Sequence, residues 1–213
     1  MSVPAIKICG ITTAEALTAV IAGRADFAGF NFCARSPRHV TLDLVKALAA
    51  QAAGRIKRVG LFVDEGDAAI SAAVDAAQLD VLQLHGSESP ARVAQLRASS
   101  ALPVWKVISV ASHADLARAA DFVGAADFIL LDAKTPAGTL PGGMGLSFDW
   151  VLLRGWKSPL PWGLAGGLTA ANVAAAIAQT GAPLVDTASG VETAPGLKDP
   201  TLITQFCTAV RAA

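Results

Sequence analysis

The 213-residue sequence has no surplus of charge: 17 Lys and Arg stand against 17 Asp and Glu. That balance argues against a nucleic-acid footprint, leaving only the case of a local basic patch inside a neutral total. Long apolar runs are also missing. Gly, Asp, Arg or Lys interrupts each one before it reaches bilayer-spanning length. The first residues, MSVPAIKICG, show no basic segment followed by a signal-peptide core. A cytoplasmic enzyme or binding protein with no membrane partner is therefore expected. Cysteine is scarce and odd in number (Cys9, Cys33 and Cys207), without CxxC spacing. That excludes a disulfide framework and a zinc site of the usual spacing, and suggests reduced thiols. There is no GxxxxGK[ST], hence no P-loop, and GGMG at 142–145 lacks the GxGxxG spacing directly after a strand that a dinucleotide fold requires.

What is present is a chain with 53% hydrophobic and 16% charged residues, too apolar to remain disordered. β-rich runs recur at 5–11, 26–32, 56–63, 81–86, 103–110, 127–133, 160–167 and 183–190, each followed by an Ala/Leu-rich helical pattern. Thr13, Thr41 and Thr169 stand where N-caps would stand. About eight βα units with no Pro/Ser-rich linker predict one domain over 1–213, an α/β (β/α)8 TIM barrel, with a doubly wound open sheet as the competitor.

Such barrels place their chemistry at the carboxyl ends of the strands. Those ends carry Cys9, Arg35 and Arg38, Gln83 and His85, Asp132, and two Gly-rich turns, AGGL and VDTASG. Strand alternation puts Lys7 on the same face as Cys9, and Gln83 on that of His85. A buried lysine needs a partner, which sequence alone does not name. The turns holding Gly166, Gly167 and Gly190 suit a phosphate, because glycines let backbone N–H groups face an anion and helix N-termini favour one. Read blandly, the same glycines are only tight turns, and Cys9 is only core filling.

The stretches KICGIT, GFNFCARSPR, VGLFVD, LQLHG, ILLDAK, GGMGLSFDW, LAGGL and VDTASGVETAPGLKD run in order from residue 7 to residue 199. Together they resemble the phosphoribosylanthranilate isomerase family of tryptophan biosynthesis. The resemblance implies a (β/α)8 barrel without cofactor or metal that carries out an Amadori rearrangement of a small phosphorylated aminosugar. It implies Cys9 as general base, Asp132 as general acid, Arg38 as holder of the anthranilate carboxylate and Asp186 near the reacting sugar. His85 either lines the pocket or only hydrogen-bonds within the strand-end layer. A thiol needs only a modest lowering of its pKa to serve as base, and an arginine can meet a carboxylate with a bidentate fork. The long Gly/Pro segment 134–147 is expected to be a lid, so deleting 137–142 should cut turnover more than stability.

Departures from the family pattern are few. Met144 replaces a more usual Thr. Ala188 removes a hydroxyl, so phosphate contacts fall to backbone N–H groups and Ser189, and phosphate binding should be weakened but kept. Two other readings compete with this one. Indole-3-glycerol phosphate synthase shares the barrel but relies on a lysine and glutamates. A non-catalytic phosphosugar-binding barrel would not need both Cys9 and Asp132. A monomer or a homodimer is expected, with no decisive apolar interface stripe in the sequence.

Overall fold

A computed structural model describes residues 3–52, 54–136, 142, 143 and 145–213. Eight strands close into a parallel barrel in sequence order: β1 (Ala5–Cys9), β2 (Phe27–Asn31), β3 (Lys57–Phe62), β4 (Val81–Leu84), β5 (Val104–Val110), β6 (Phe128–Ala133), β7 (Trp162–Leu164) and β8 (Leu184–Thr187). β1 pairs with both β2 and β8, which seals the ring. The helices are α1 (Ala14–Ala22), α2 (Leu42–Ala52), α3 (Asp67–Ala77), α4 (Pro90–Ser100), α5 (His113–Ala117), α6 (Val173–Thr180) and α7 (Pro200–Arg211). Among the described residues, the β6–β7 connection holds only a 3₁₀ turn, Trp150–Leu153. A short hairpin, β9 (Glu192–Ala194) with β10 (Leu197–Lys198), follows the 3₁₀ turn Ser189–Val191.

Period-two alternation divides the core into two layers. Outward residues such as Ile6, Ile8, Phe30, Leu82, Ile129 and Val185 pack under the helices. Inward residues Val59, Val81, Trp105, Val107, Leu130 and Leu184 fill the barrel. Its lower end is plugged by aromatics: Phe27 meets Trp105 edge-on at 4.9 Å, and Phe128 stacks on Trp105 at 4.6 Å.

Several predicted boundaries shift. Strands one, seven and eight end earlier than expected because Gly10, Gly166 and Gly167 take φ of +78°, +90° and +61°, and Ala188 leaves extended geometry. Thr13 caps α1 through Ala16 N, and Thr41 accepts from Leu44 N at the start of α2. Among the described residues the Thr169 hydroxyl caps no helix, and only the Thr169 carbonyl accepts, from Asn172 N and Val173 N. The Thr169 N–H instead donates to Asn172 Oδ1, and α6 begins four residues later than Thr169, at Val173. Residues 137–141 and Met144, within the expected lid, lie outside the described residues.

Candidate active site

Cys9 is the last residue of β1, with Lys7 two residues below it on the same inward face. The register that pairs Lys7 with Asp186 on β8 supplies the missing partner: Lys7 Nζ donates to Asp186 Oδ2 at 2.8 Å, and Lys7 is fully buried. Gly29 stands opposite Cys9 on β2, where a Cβ would come within 2.8 Å of the thiol sulfur, so the missing side chain leaves room for it. Burial works against the Lys7 ammonium, but Asp186 and the Cys9 thiolate outweigh it and hold Lys7 above the ordinary lysine value. Burial pushes the Cys9 thiol up; Lys7 pulls it back only part of the way, and Asp186 adds to the rise. This corrects the expectation of a lowered thiol: the sequence offered the charge but not the depth of burial. Burial likewise raises the Asp186 carboxyl, against the pull of Lys7.

Asp132 reaches the same cavity from β6. Its Oδ1 accepts from Ala133 N at 2.8 Å, and its Oδ2 lies 3.4 Å from His85 Nε2. Gly166 lies against this carboxylate and the Ala133 amide, where a Cβ would approach to 3.2 Å and 2.8 Å. Gln83 Oε1, both ring nitrogens of His85 and Asp186 Oδ1 are buried without a hydrogen-bond partner among the described residues.

Arg38 arrives on the loop after β2. Asn31 at the end of that strand bonds Ser36 Oγ and accepts from Cys33 N, and Ser36 Oγ accepts from Arg38 N, so the loop is cross-tied. The guanidinium stem crosses Gly10, where a Cβ would sit 2.5 Å from Arg38 Cδ. Its Nε and Nη2 grip Glu192 at 2.8 Å and 2.7 Å, and Nη2 also donates to Gly143 O at 3.1 Å. The expected fork toward a ligand is thus already committed to Glu192, 154 residues away in sequence and invisible to a motif-by-motif reading. Arg35 and His39 are exposed.

One cavity of about 650 Å³ is lined by Cys9, Arg38, Gln83, His85, Asp132 and Asp186. Gly166, Gly167 and Ser189 line it too; Gly190 does not. A Cβ on Gly190 would meet the Leu168 carbonyl at 1.9 Å, so that glycine serves close packing between two strand-end turns. Cys33 also lines the cavity, whereas Cys207 is buried in α7. Among the described residues, no group of three or more His, Cys, Asp or Glu side chains is placed to hold a metal ion.

A family profile described as N-(5'phosphoribosyl)anthranilate (PRA) isomerase matches residues 6–209. The chain belongs to this family. An N-(5'-phosphoribosyl)anthranilate isomerase of Rhodopseudomonas palustris (strain BisB18) is 50% identical over 208 residues, covering 97% of this chain and 95% of the relative. One of Paracoccus denitrificans (strain Pd 1222) is 50% identical over 202 residues, covering 94% of each chain. The crystal structure of phosphoribosyl anthranilate isomerase from Thermotoga maritima superposes with a TM-score of 0.88 at 31% identity, covering 99% of this chain and all of that one. Another phosphoribosyl anthranilate isomerase structure, in complex with reduced 1-(o-carboxyphenylamino)-1-deoxyribulose 5-phosphate, gives 0.85 at 29% identity, with the same coverage. Family membership settles the choice between the barrel and the open sheet, and between this isomerase and the synthase that shares its fold.

Proposed function

We propose that Cys9 and Asp132 divide between them the proton transfers of the family's reaction. That reaction is the Amadori rearrangement of N-(5-phosphoribosyl)anthranilate to 1-(2-carboxyphenylamino)-1-deoxyribulose 5-phosphate in tryptophan biosynthesis. The observation that carries the assignment is that a thiol, a carboxyl group and an arginine from three separate strand ends line one cavity.

Asp132 delivers a proton to the furanose ring oxygen as the bond from that oxygen to the anomeric carbon breaks. The anilino nitrogen's lone pair forms the C=N bond of a Schiff base. The adjacent sugar C–H is now acidic, and the Cys9 thiolate removes its proton. The C–H electron pair becomes a C=C bond, the C=N electrons return to nitrogen, and the resulting enolamine tautomerises to the ketone. Lys7 steadies the thiolate and is itself kept charged by Asp186. The unpartnered Gln83 Oε1 and Asp186 Oδ1 are suited to accept from sugar hydroxyls, since a buried acceptor gains most when a donor arrives. His85 faces both Asp132 and the sugar. Gly166, Gly167 and Ser189 receive the phosphate, and Arg38 receives the ring carboxylate. Binding both ends of the substrate orients the reacting sugar between acid and base.

Turnover of freshly prepared N-(5-phosphoribosyl)anthranilate tests this reading. Cys9→Ala and Asp132→Asn are each expected to lower kcat by about 10²–10⁴-fold, the usual worth of a positioned acid or base. A parent protein that binds the substrate without converting it would overturn the catalytic assignment.

A further inference from the structure

We propose that Glu192 and Lys198 are positioning residues that present Arg38 to the substrate carboxylate and set the charge of that end of the site. The inference rests on the reading of Arg38 given above.

Both residues lie in VETAPGLKD, on the β9–β10 hairpin, and neither gives or takes a proton in the proposed steps, although Lys198 adds a pull on the Cys9 thiol smaller than that of Lys7. Glu192 takes the Nε and Nη2 edge of Arg38, and Lys198 Nζ donates to Glu192 Oε1 at 2.6 Å and to Ala188 O at 2.8 Å. The side chains of Arg38, Glu192 and Lys198 are 8%, 3% and 1% exposed. Two cations flank one carboxylate, so the buried trio carries a net charge of +1, matched to one incoming carboxylate. A bare Arg38–Glu192 pair would be neutral and would give an anion no electrostatic reason to enter. Arg38 Nη1 makes no hydrogen bond to a described residue, and Gly143 packs against it so closely that a Cβ there would come within 2.4 Å. Glu192 and Gly143 thus fix the plane of the guanidinium, so the substrate meets a preset donor and does not have to order a flexible one. The second bond of Lys198, to the Ala188 carbonyl, fixes the ammonium beside Glu192.

The test compares binding of two inhibitors to the purified protein: the reduced product, 1-(2-carboxyphenylamino)-1-deoxyribitol 5-phosphate, and its anilino counterpart lacking the ring carboxylate. Wild type should prefer the first by about 10–100-fold, the worth of one charge-assisted hydrogen bond. Lys198→Met, which leaves the trio neutral, should lose most of that preference. So should Glu192→Gln: it raises the trio to +2, but its amide cannot accept from both Nε and Nη2, and the lost orientation outweighs the added charge. Both variants should bind the anilino compound as wild type does, and raise KM for substrate with kcat within about threefold. If wild type shows no preference, Arg38 does not receive the carboxylate, and both readings fall. If wild type discriminates and folded variants discriminate equally, or weaken for both ligands alike, the positioning role is wrong. Lys198→Met retains the Arg38–Glu192 pair, and Glu192→Asp keeps the charge but is too short to hold Nε and Nη2 as Glu does. Should Glu192→Gln fail to fold, these two decide the matter by the same ratio.

Discussion

At the scale of the residue, Cys9 works in a setting that disfavours its own ionised form. Burial raises the thiol more than Lys7 lowers it, so the thiolate is a minority species at neutral pH and kcat/KM should climb with pH toward and past the ordinary thiol range. In Lys7→Met the lowering contribution is lost, and Asp186, buried without a cation, takes up a proton and no longer raises its neighbour. Lys7 is the larger of the two influences on Cys9, so the limb should move to still higher pH, with the rate at pH 7 down about tenfold or more. Alkylation by iodoacetamide, followed at the Cys9 peptide, should show the same displacement; an unmoved limb would remove Lys7 from the account. Glu192 behaves oppositely. Burial pushes its carboxyl up, but Arg38 and Lys198 outweigh that and hold it below the usual range. Its contribution to stability is therefore complete above the unfolded glutamate value of about 4.3 and is lost as pH falls through the lower folded value. Acid unfolding of wild type against Glu192→Gln should show the gap between them closing only below that point. Lys7 was legible as an inward lysine in need of a partner. Asp186 was not legible as that partner, because the register joining residues 179 positions apart belongs to the closed barrel and not to either strand.

At the scale of the element, turns between strands and helices hold the site, and one of them is tied by a single carboxylate. Glu88 accepts from the amides of Asp64 and Gly86 and from Lys106 Nζ at 2.8 Å, joining the turns after β3 and β4 to β5 just beyond His85. The Lys106 and Glu88 side chains are 2% and 4% exposed. Glu88→Ala leaves the buried Lys106 ammonium with only the Leu84 and Gly86 carbonyls and no counter-charge, and leaves two amides without their acceptor, which should cost about 3–5 kcal/mol in urea unfolding, as for other broken buried pairs. Loss of less than about 1 kcal/mol would mean that water takes the place of Glu88 and the two carbonyls already bonded to Lys106 suffice for its charge. The eight strands were readable because each is a short apolar run bounded by Gly, Pro or Asp, and parallel buried strands need no more than that. The β6–β7 connection and the start of α6 were not. Thr169 has the right chemistry for a cap, but the Gly166–Gly167 turn and the Asn172 side chain bonding back to it delay the helix. Gly142 and Gly143 show a similar limit: sequence marks a loop, while only the packing places their Cα atoms against His85, Asp132 and Arg38.

At the scale of the whole molecule, the barrel is asymmetric along its axis. Aromatic rings close one end, and the titratable groups of the inner wall gather at the other, so substrate has one way in and its binding energy is delivered to one layer of strand ends. Binding and chemistry should therefore be separable in the intact protein. The family's reduced product presents the phosphate and the carboxylate but has neither the C=O nor the C=N bond through which the reaction runs, so it reports binding alone. At a hundredfold excess over its Kd it should stabilise the fold by about 2.7 kcal/mol, which for a chain of this length is a rise in Tm of about 5–10 °C. Cys9→Ala and Asp132→Asn should keep most of that rise while losing turnover, because neither is proposed to hold an end of the ligand. Arg38→Ala should lose most of it. If Cys9→Ala abolished the thermal shift together with the activity, the thiol would be a binding group, and the base would have to be sought among Asp186 and His85 in the same cavity.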